Sequence, residues 1–375
     1  MPFSGWCSTR RRWLLSSMTS SFWSSLPSLQ CRCAFFCGVR KEGLVKACFC
    51  FRRAEGYAVG SAFRRKPMAI ANQRIVYLNG AFVPESEALV PIKDAGFKFG
   101  DAVFDTTRTF GHKIFRLQEH LERFERSLRY LDLKPKYSIG DFTRITEEVV
   151  KRNLPLIGPD DDYWIPQRVS RGLSAGDREA WPDWPDTTVI VECTPLPLAA
   201  RAKMYRDGIE VITPSVRRVA PEMASPRAKT HNYLNLILGD LEVAAQNPDA
   251  LSVLLDRDGN LAEGKGSNIF LIHDGRLRTP REKFVLPGVS RKVTKELAGQ
   301  LGYEVEDRDI DLFDAYSADE AFITSTSFCI CPVQSINGRA LGSTDIPGPL
   351  TKRLIDAYVD MVGFDWYAQY TSHLA

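Results

Sequence analysis

Lys229, Tyr233 and Glu263 are the residues of this 375-residue chain whose types and spacing could do chemistry together. Lys229 stands in Pro226-Arg-Ala-Lys-Thr-His-Asn-Tyr233-Leu-Asn, just ahead of Leu234, Ile237, Leu238 and Leu241. That periodicity predicts a lysine at or just before a helix N-terminus. There the helix dipole and any burial both favour the neutral amine, the form able to make a Schiff base with a carbonyl. Tyr233, four residues on, is one helical turn away on the same side. Glu263 lies in Leu261-Ala-Glu-Gly-Lys-Gly-Ser-Asn268, where residues 251–255 read as a strand, Asp258-Gly259 as a type I′ turn and residues 260–263 as the return strand.

An imine-forming lysine, an adjacent phenol and a carboxylate at a strand end are the parts needed to hold pyridoxal phosphate. A carboxylate on the ring nitrogen keeps it protonated and makes the ring an electron sink. Taken singly, a solvated helix-end lysine and a surface turn glutamate are the commoner explanations. The set gains weight from a phosphate element: Leu286-Pro-Gly-Val289-Ser290 opens a helix with Val293, Leu297 and Leu301, and free N–H groups there face an incoming anion. The strand 320–324 runs into Ser325-Thr-Ser327, a hydroxyl cluster able to add donors. Arg123 sits at the margin of a helix whose stripe is Leu117, Leu121, Phe124, Leu128 and Leu131.

The elements that must position these groups follow in order. Asn79-Gly80 marks a first hairpin, and residues 102–110 and 113–116 a second. Helices are expected over 117–131 and 139–152, and strands over 164–170 and 187–193. The stretch 196–207 has no readable period and is expected as an interdomain loop between a small domain (68–195) and a larger one (208–375). That larger domain holds the lysine helix, the Glu263 hairpin, the strands 269–272 and 276–279, and a closing helix over 350–362. The fold class is α+β, with mostly antiparallel sheets and flanking helices.

The Lys-x-x-Asn-Tyr-Leu and Glu-Gly-x-Gly-x-Asn segments resemble those of the fold-type IV (class IV) aminotransferases, the branched-chain and D-amino-acid aminotransferase superfamily. The likeness runs from about Ile75 to Val362. It implies pyridoxal 5'-phosphate on Lys229 as the catalytic residue, Tyr233 and Glu263 against the ring, and a phosphate cup of Arg123 (in Glu119-His-Leu-Glu-Arg), Val289, Ser290 and Thr326. It also implies an amino donor and a 2-oxo acid as substrates, and a homodimer.

The substrate side departs from the family patterns. Phe104-Asp105 stands where D-amino-acid enzymes resemble Tyr-Glu, and Ser325-Thr-Ser-Phe-Cys329 where branched-chain enzymes resemble Gly-Thr-Ala-Ala-Glu, so Phe104 and Ser327 are candidate substrate contacts. Arg108 matches the arginine of Phe-Glu-Gly-Ile-Arg in branched-chain enzymes, and Arg171 the Arg-Gly of D-amino-acid enzymes. Either could take a carboxylate or serve as a structural residue. The resemblance favours a broad-specificity, branched-chain-like aminotransferase. A D-amino-acid or (R)-amine aminotransferase and an aminodeoxychorismate-lyase-like enzyme are the alternatives.

Composition bounds the partners. Residues 1–67 hold twelve Lys/Arg against two acidic residues, so the net +3 of the whole chain becomes −7 for the rest, which gives no reason to expect nucleic-acid or membrane binding there. Six of nine cysteines also lie in that Arg- and Ser-rich segment. It reads equally as a transit peptide or as residues upstream of the real start at Met68, and is expected to be poorly ordered. The expected location is cytoplasmic, or organellar if the transit reading holds. No run of 18 apolar residues occurs. Asp256-Arg-Asp-Gly-Asn260 imitates a calcium loop but has Ser267 in place of the bidentate glutamate. Gly264-Lys-Gly266 lacks the third glycine of a dinucleotide fingerprint, and five scattered histidines suggest no metal centre.

Overall fold

Asn79 and Gly80 take positive φ of 50° and 110°, the conformation an Asn-Gly hairpin demands. They join β1 (Ile75–Leu78) to β2 (Ala81–Pro84). A computed structural model describes residues 73–374, within one compact unit spanning 65–375. The transit-peptide, start-site and disorder readings for 1–67 lie outside the described residues.

Beyond α1 (Ala95–Phe99), the strands β3 (Ala102–Phe110), β4 (Lys113–Phe115), β5 (Tyr163–Ser170) and β6 (Thr188–Val191) complete an antiparallel sheet in the order β2-β1-β6-β5-β3-β4. A short β7 (Thr194–Pro195) pairs with β5. One face carries α2 (Leu117–Tyr130) and α3 (Ile139–Asn153), whose Leu121, Phe124, Leu128 and Val149 pack on Val103, Ile165 and Val169. Arg123, expected at the stripe's margin, is itself buried. Because side chains alternate along a strand, Phe104 and Thr106 of β3, with Trp164, Pro166 and Arg168 of β5, are left for the opposite face. Register places Phe104 directly across from Arg168 and Thr106 from Pro166.

Residues expected as an interdomain loop instead form α4 (Leu198–Asp207). Leu198, Ala202 and Tyr205, spaced by four and three, bury one side of it, a period hidden by the alanines and basic residues between them. The second sheet uses β8 (Ile209–Ile212), β9 (Leu251–Ser252), β10 (Glu263–Gly264), β11 (Ser267–His273), β12 (Arg276–Pro280), β13 (Val305–Arg308), β14 (Glu320–Ser325), β15 (Cys329–Ile336) and β16 (Arg339–Ala340). Its order is β13-β12-β11-β14-β15-β8-β9, antiparallel through the centre and parallel at the β12/β13, β15/β8 and β8/β9 pairs. The remaining helices are α5 (Leu234–Ala244), α6 (Val289–Gln300), α7 (Leu312–Tyr316), α8 (Pro349–Val362) and α9 (Trp366–Thr371). Val293 and Leu297 of α6 and Leu354 and Ile355 of α8 share a core with Phe270 and Phe322.

Three local expectations change. First, α5 starts at Leu234, so Lys229 lies five residues upstream, in a stretch that bridges to β3, and not at the helix end. Second, α5 buries Leu236, Gly239 and Val243 and leaves Leu234, Ile237, Leu238 and Leu241 exposed at 40–67%. A Cβ at Gly239 would come within 2.8 Å of Leu254 and 3.2 Å of Pro214; the helix rests on its smallest residue because only that side lets the backbone approach. Third, the Asp258-Gly259 turn is wider than type I′. A bridge between Leu255 and Leu261 closes it, and the Asp256 carboxylate accepts the N–H groups of Asp258 and Asn260 at 2.9 Å each, as an Asx turn does.

Candidate active site

A cavity of about 430 Å³ lies between the open face of the first sheet, the Lys229 segment, β10–β11 and the start of α6. Lys229 is fastened to the first sheet by its backbone. The Phe104 N–H donates to the Lys229 carbonyl at 3.0 Å and the His231 N–H to the Ala102 carbonyl at 2.9 Å, while the Lys229 N–H donates to Ser127 Oγ at 3.0 Å. Its Nζ then projects into the cavity, 3.2 Å from the Tyr233 hydroxyl and 4.4 Å from the centre of the Phe104 ring. Tyr233 reaches it as the residue capping α5, not across a helical turn.

Glu263 is 4% exposed. Its Oε1 accepts from Arg218 Nε at 2.9 Å and its Oε2 from the Leu286 N–H at 2.8 Å. The loop Leu286-Pro-Gly288 that follows is tied at each step. Asn268 Nδ2 donates to the Leu286 carbonyl and Arg123 Nη1 to the Pro287 carbonyl, both at 3.0 Å, and Gly288 caps α6 without a side-chain cap bond. The first-turn N–H groups at Val289 and Ser290 are therefore of the kind a helix leaves for an anion. Across the cavity, Thr324, Thr326 and Ser327 add hydroxyls; Thr324 Oγ1 is buried with no hydrogen-bond partner among the described residues.

Arg123 is held rather than free. Its Nε and Nη2 each donate to the Asp105 carboxylate at 2.8 Å, and His120 Nδ1 lies 2.7 Å from the same carboxylate. Burial alone would raise the Asp105 carboxyl, yet Arg123 and His120 outweigh it and hold the group far below the usual carboxylate range. His120 is pushed down, burial prevailing over its attraction to Asp105.

Of the residues singled out from sequence, Phe104, Arg123, Lys229, Tyr233, Glu263, Val289, Ser290, Thr326 and Ser327 line this one cavity. Arg108 and Arg171 do not. Arg108 shares the β3 face with Phe104 but lies past the cavity, roofed by α9. There it donates to the Thr109 carbonyl at 2.9 Å, Cys329 Sγ at 3.2 Å and Gln369 Oε1 at 3.4 Å. Arg171 points elsewhere, bound to Asp101 at 2.5 and 3.1 Å and to the Leu131 carbonyl at 2.8 Å. Sequence reasoning misses Arg218, Thr106, Trp164 and Arg168. The last two are open to an argument from parity, since Trp164, Pro166 and Arg168 must share one face of a strand.

The chain matches the Amino-transferase class IV family over residues 102–336. It is 34% identical over 290 residues to a Methanocaldococcus jannaschii protein named as a putative branched-chain-amino-acid aminotransferase, covering 76% of this chain and 96% of that one. It is 29% identical over 282 residues to the D-alanine aminotransferase of Bacillus licheniformis, covering 74% and 94%. Among solved structures, the branched-chain amino acid aminotransferase of T.th. with pyridoxamine 5'-phosphate superposes with a TM-score of 0.70 at 29% identity, covering 80% of this chain and 97% of that one. The same enzyme has been solved with 4-methylvaleric acid and with N-(5'-phosphopyridoxyl)-L-glutamate. This chain belongs to the class IV aminotransferases and has their fold-type IV architecture. It is therefore a transaminase, and its cofactor is pyridoxal phosphate. The donor set suits that group: a buried hydroxyl with no partner among the described residues, helix N–H groups without a side-chain cap, a guanidinium and a buried carboxylate all line the same cavity.

Asp105→Asn removes one partner of a fully buried ion pair, and the loss of folding stability is expected at about 3–5 kcal/mol, read from denaturant midpoints. A second expectation concerns His231, which burial, and then the charge of Arg168, pushes down to about 4 from 6.5. The unfolded chain takes up this proton first as pH falls, so its contribution to stability is whole above about 6.5 and declines toward 4. The unfolding midpoint should drop over that interval, and His231→Gln should flatten the drop; an unchanged slope in the variant would remove His231 from the account.

Proposed function

We propose that this enzyme moves the amino group of an amino acid with an apolar side chain onto a 2-oxo acid, with pyridoxal phosphate held covalently by Lys229. The observation that carries this is Lys229 Nζ, 3.2 Å from the Tyr233 hydroxyl, in a cavity also lined by buried Glu263 and by Phe104, Trp164 and Pro166. Bound pyridoxal phosphate supplies a carbonyl that condenses with amines and a ring that draws electrons from the substrate Cα. Arg123, the N–H groups of Val289 and Ser290, and Thr326 hold the phosphate. Glu263, oriented by Arg218, holds the proton on the ring nitrogen, and Tyr233 orients the Lys229 amine and the ring oxygen.

With pyridoxal phosphate bound, the Lys229 amine, held over the Phe104 ring, would be the base that carries a proton between the substrate Cα and the carbon that was the cofactor's aldehyde. Phe104, Trp164 and Pro166 form an apolar wall for the donor's side chain, and Ser327 adds a hydroxyl to the same cavity. Arg108 and Arg171 are left as structural residues, their guanidinium groups being bound outside the cavity. In this reading the two sheets with their helices are the two domains.

Lys229→Ala should abolish turnover and the visible absorption of protein-bound cofactor; retained turnover would refute the role. A panel of donors tests the substrate side: L-leucine and L-valine should outpace D-alanine and (R)-amines by at least about tenfold, and the reverse order would move the enzyme to the D-series. Pyruvate release with no amino acceptor would mark a lyase instead.

The working form is a homodimer in this reading. The row Leu234, Ile237, Leu238 and Leu241 on α5 supports it, together with exposed Leu89, Ile92, Phe97 and Phe99, since large apolar side chains in rows on a surface mark contact sites. Light scattering should give twice the chain mass, and Leu238→Glu with Leu241→Glu should shift it toward one.

A further inference from the structure

The turn between β14 and β15, residues 325–329, brings Ser325, Thr326 and Ser327 to the cavity. Inside the turn, the Phe328 N–H donates to Ser325 Oγ at 3.0 Å, and Ser325 Oγ lies 3.3 Å from Ser327 Oγ. Its last residue, Cys329, has a φ of 56°, in the left-handed region that a residue with a side chain keeps only where its surroundings impose it.

Those surroundings lie behind the cavity. Three consecutive residues of the turn are each held by a long side chain from a different element. Tyr370 of α9 donates its hydroxyl to the Ser327 carbonyl, Tyr205 of α4 donates to the Phe328 carbonyl at 2.7 Å, and Arg108 of β3 donates through Nη1 to Cys329 Sγ at 3.2 Å. Arg201, one turn before Tyr205 on α4, lays its guanidinium 4.1 Å from the centre of the Phe328 ring.

The two tyrosines act as a unit. Their rings stack with centres 4.5 Å apart and planes at 26°, and both are fully buried. Burial raises both hydroxyls above the ordinary tyrosine value, so they stay protonated and need acceptors. The carbonyls of the turn are those acceptors. Neither tyrosine is among the residues that line the cavity.

We propose that Tyr205 and Tyr370 are positioning residues for the reaction: by holding the carbonyls of Phe328 and Ser327 from the core side, they set the turn so that Thr326 and Ser327 meet what the cavity binds. This rests on the reading above, in which Thr326 holds the cofactor's phosphate, and adds the groups that keep it in place. α4, which connects the two sheets along the chain, and α9 thereby shape a site that neither helix enters.

Removing one hydroxyl leaves a ring that still fills the core, so the variants are Tyr370→Phe and Tyr205→Phe. Tyr367→Phe is the control: it also lies on α9, but its hydroxyl donates to the Tyr205 carbonyl at 3.0 Å and not to the turn. Each apoenzyme is titrated with pyridoxal phosphate by absorbance, each loaded enzyme is assayed with L-leucine and a 2-oxo acid, and thermal midpoints are recorded. Tyr370→Phe and Tyr205→Phe are expected to weaken cofactor affinity by about three- to tenfold, the worth of one hydrogen bond. The kcat of fully loaded enzyme should stay within about twofold, because Lys229 is fastened to β3 and not to the turn. Tyr367→Phe should lower the thermal midpoint and leave cofactor affinity unchanged.

A tyrosine that acts through the turn cannot be independent of Thr326. Tyr370→Phe combined with Thr326→Ala should therefore lose clearly less affinity than the product of the two single losses. A full product, or an affinity loss that Tyr367→Phe shares, would make the tyrosines ordinary core residues and overturn the proposal. Unchanged affinity in Thr326→Ala alone would overturn the earlier reading and with it this one, and that failure is told apart because it appears with both tyrosines intact.

Discussion

The site depends on a short piece of backbone pairing. Lys229 belongs by sequence to the half of the chain that builds the second sheet, yet its carbonyl and the His231 N–H are bonded to β3 of the first. A lysine on a free loop would sample many positions, since its side chain has four rotatable bonds and loop backbones move. Fixing its main chain on both sides leaves only the side-chain torsions, and Tyr233 and the Phe104 ring restrict those further. The pairing also explains why an extended stretch interrupts what would otherwise be a longer helix: residues that must bond to a strand edge cannot also bond along a helix.

Behind the sheet, burial and charge are balanced by a different arrangement. Asp105 points away from the cavity on the strand whose Phe104 points into it, and there it meets Arg123 and His120. A carboxylate without those partners would be strongly disfavoured in such surroundings. With them, it aligns the arginine while leaving Nη1 for the Pro287 carbonyl. One strand residue therefore presents an apolar surface to the cavity, and the next orients a guanidinium that also lines it.

The segments around Lys229, Glu263 and Ser290 stand out because each pairs a chemical group with a nearby turn or helix signal, even where the local geometry differs from that signal, whereas Arg123 is marked only by motif likeness. The hairpins at Asn79-Gly80 and Gly111-His112 are equally plain. What sequence hides are features decided at long range. The apolar row on α5 looks like a core face, but the helix is seated on Gly239 instead, and no single-sequence period reports how closely two backbones approach. Arg108 and Arg171 draw attention through motif likeness, while Arg168 carries only its strand parity. The cover over Arg108 comes from α9, more than two hundred residues away, whose Gln369 no local pattern connects to β3.

The tripeptide Leu286-Pro287-Gly288 joins the two ends of the cavity. Its first residue is bonded to Glu263, its second to Arg123, and its third caps α6, the three groups proposed to hold the ring and the phosphate. The separation of Glu263 from the start of α6 is thus set by three residues of nearly fixed shape. Proline stiffens the middle, and Gly288 is crowded closely enough by Asn268 that a side chain there would meet it. If those residues hold the cofactor as proposed, this piece of main chain would set the length of cofactor the cavity accepts.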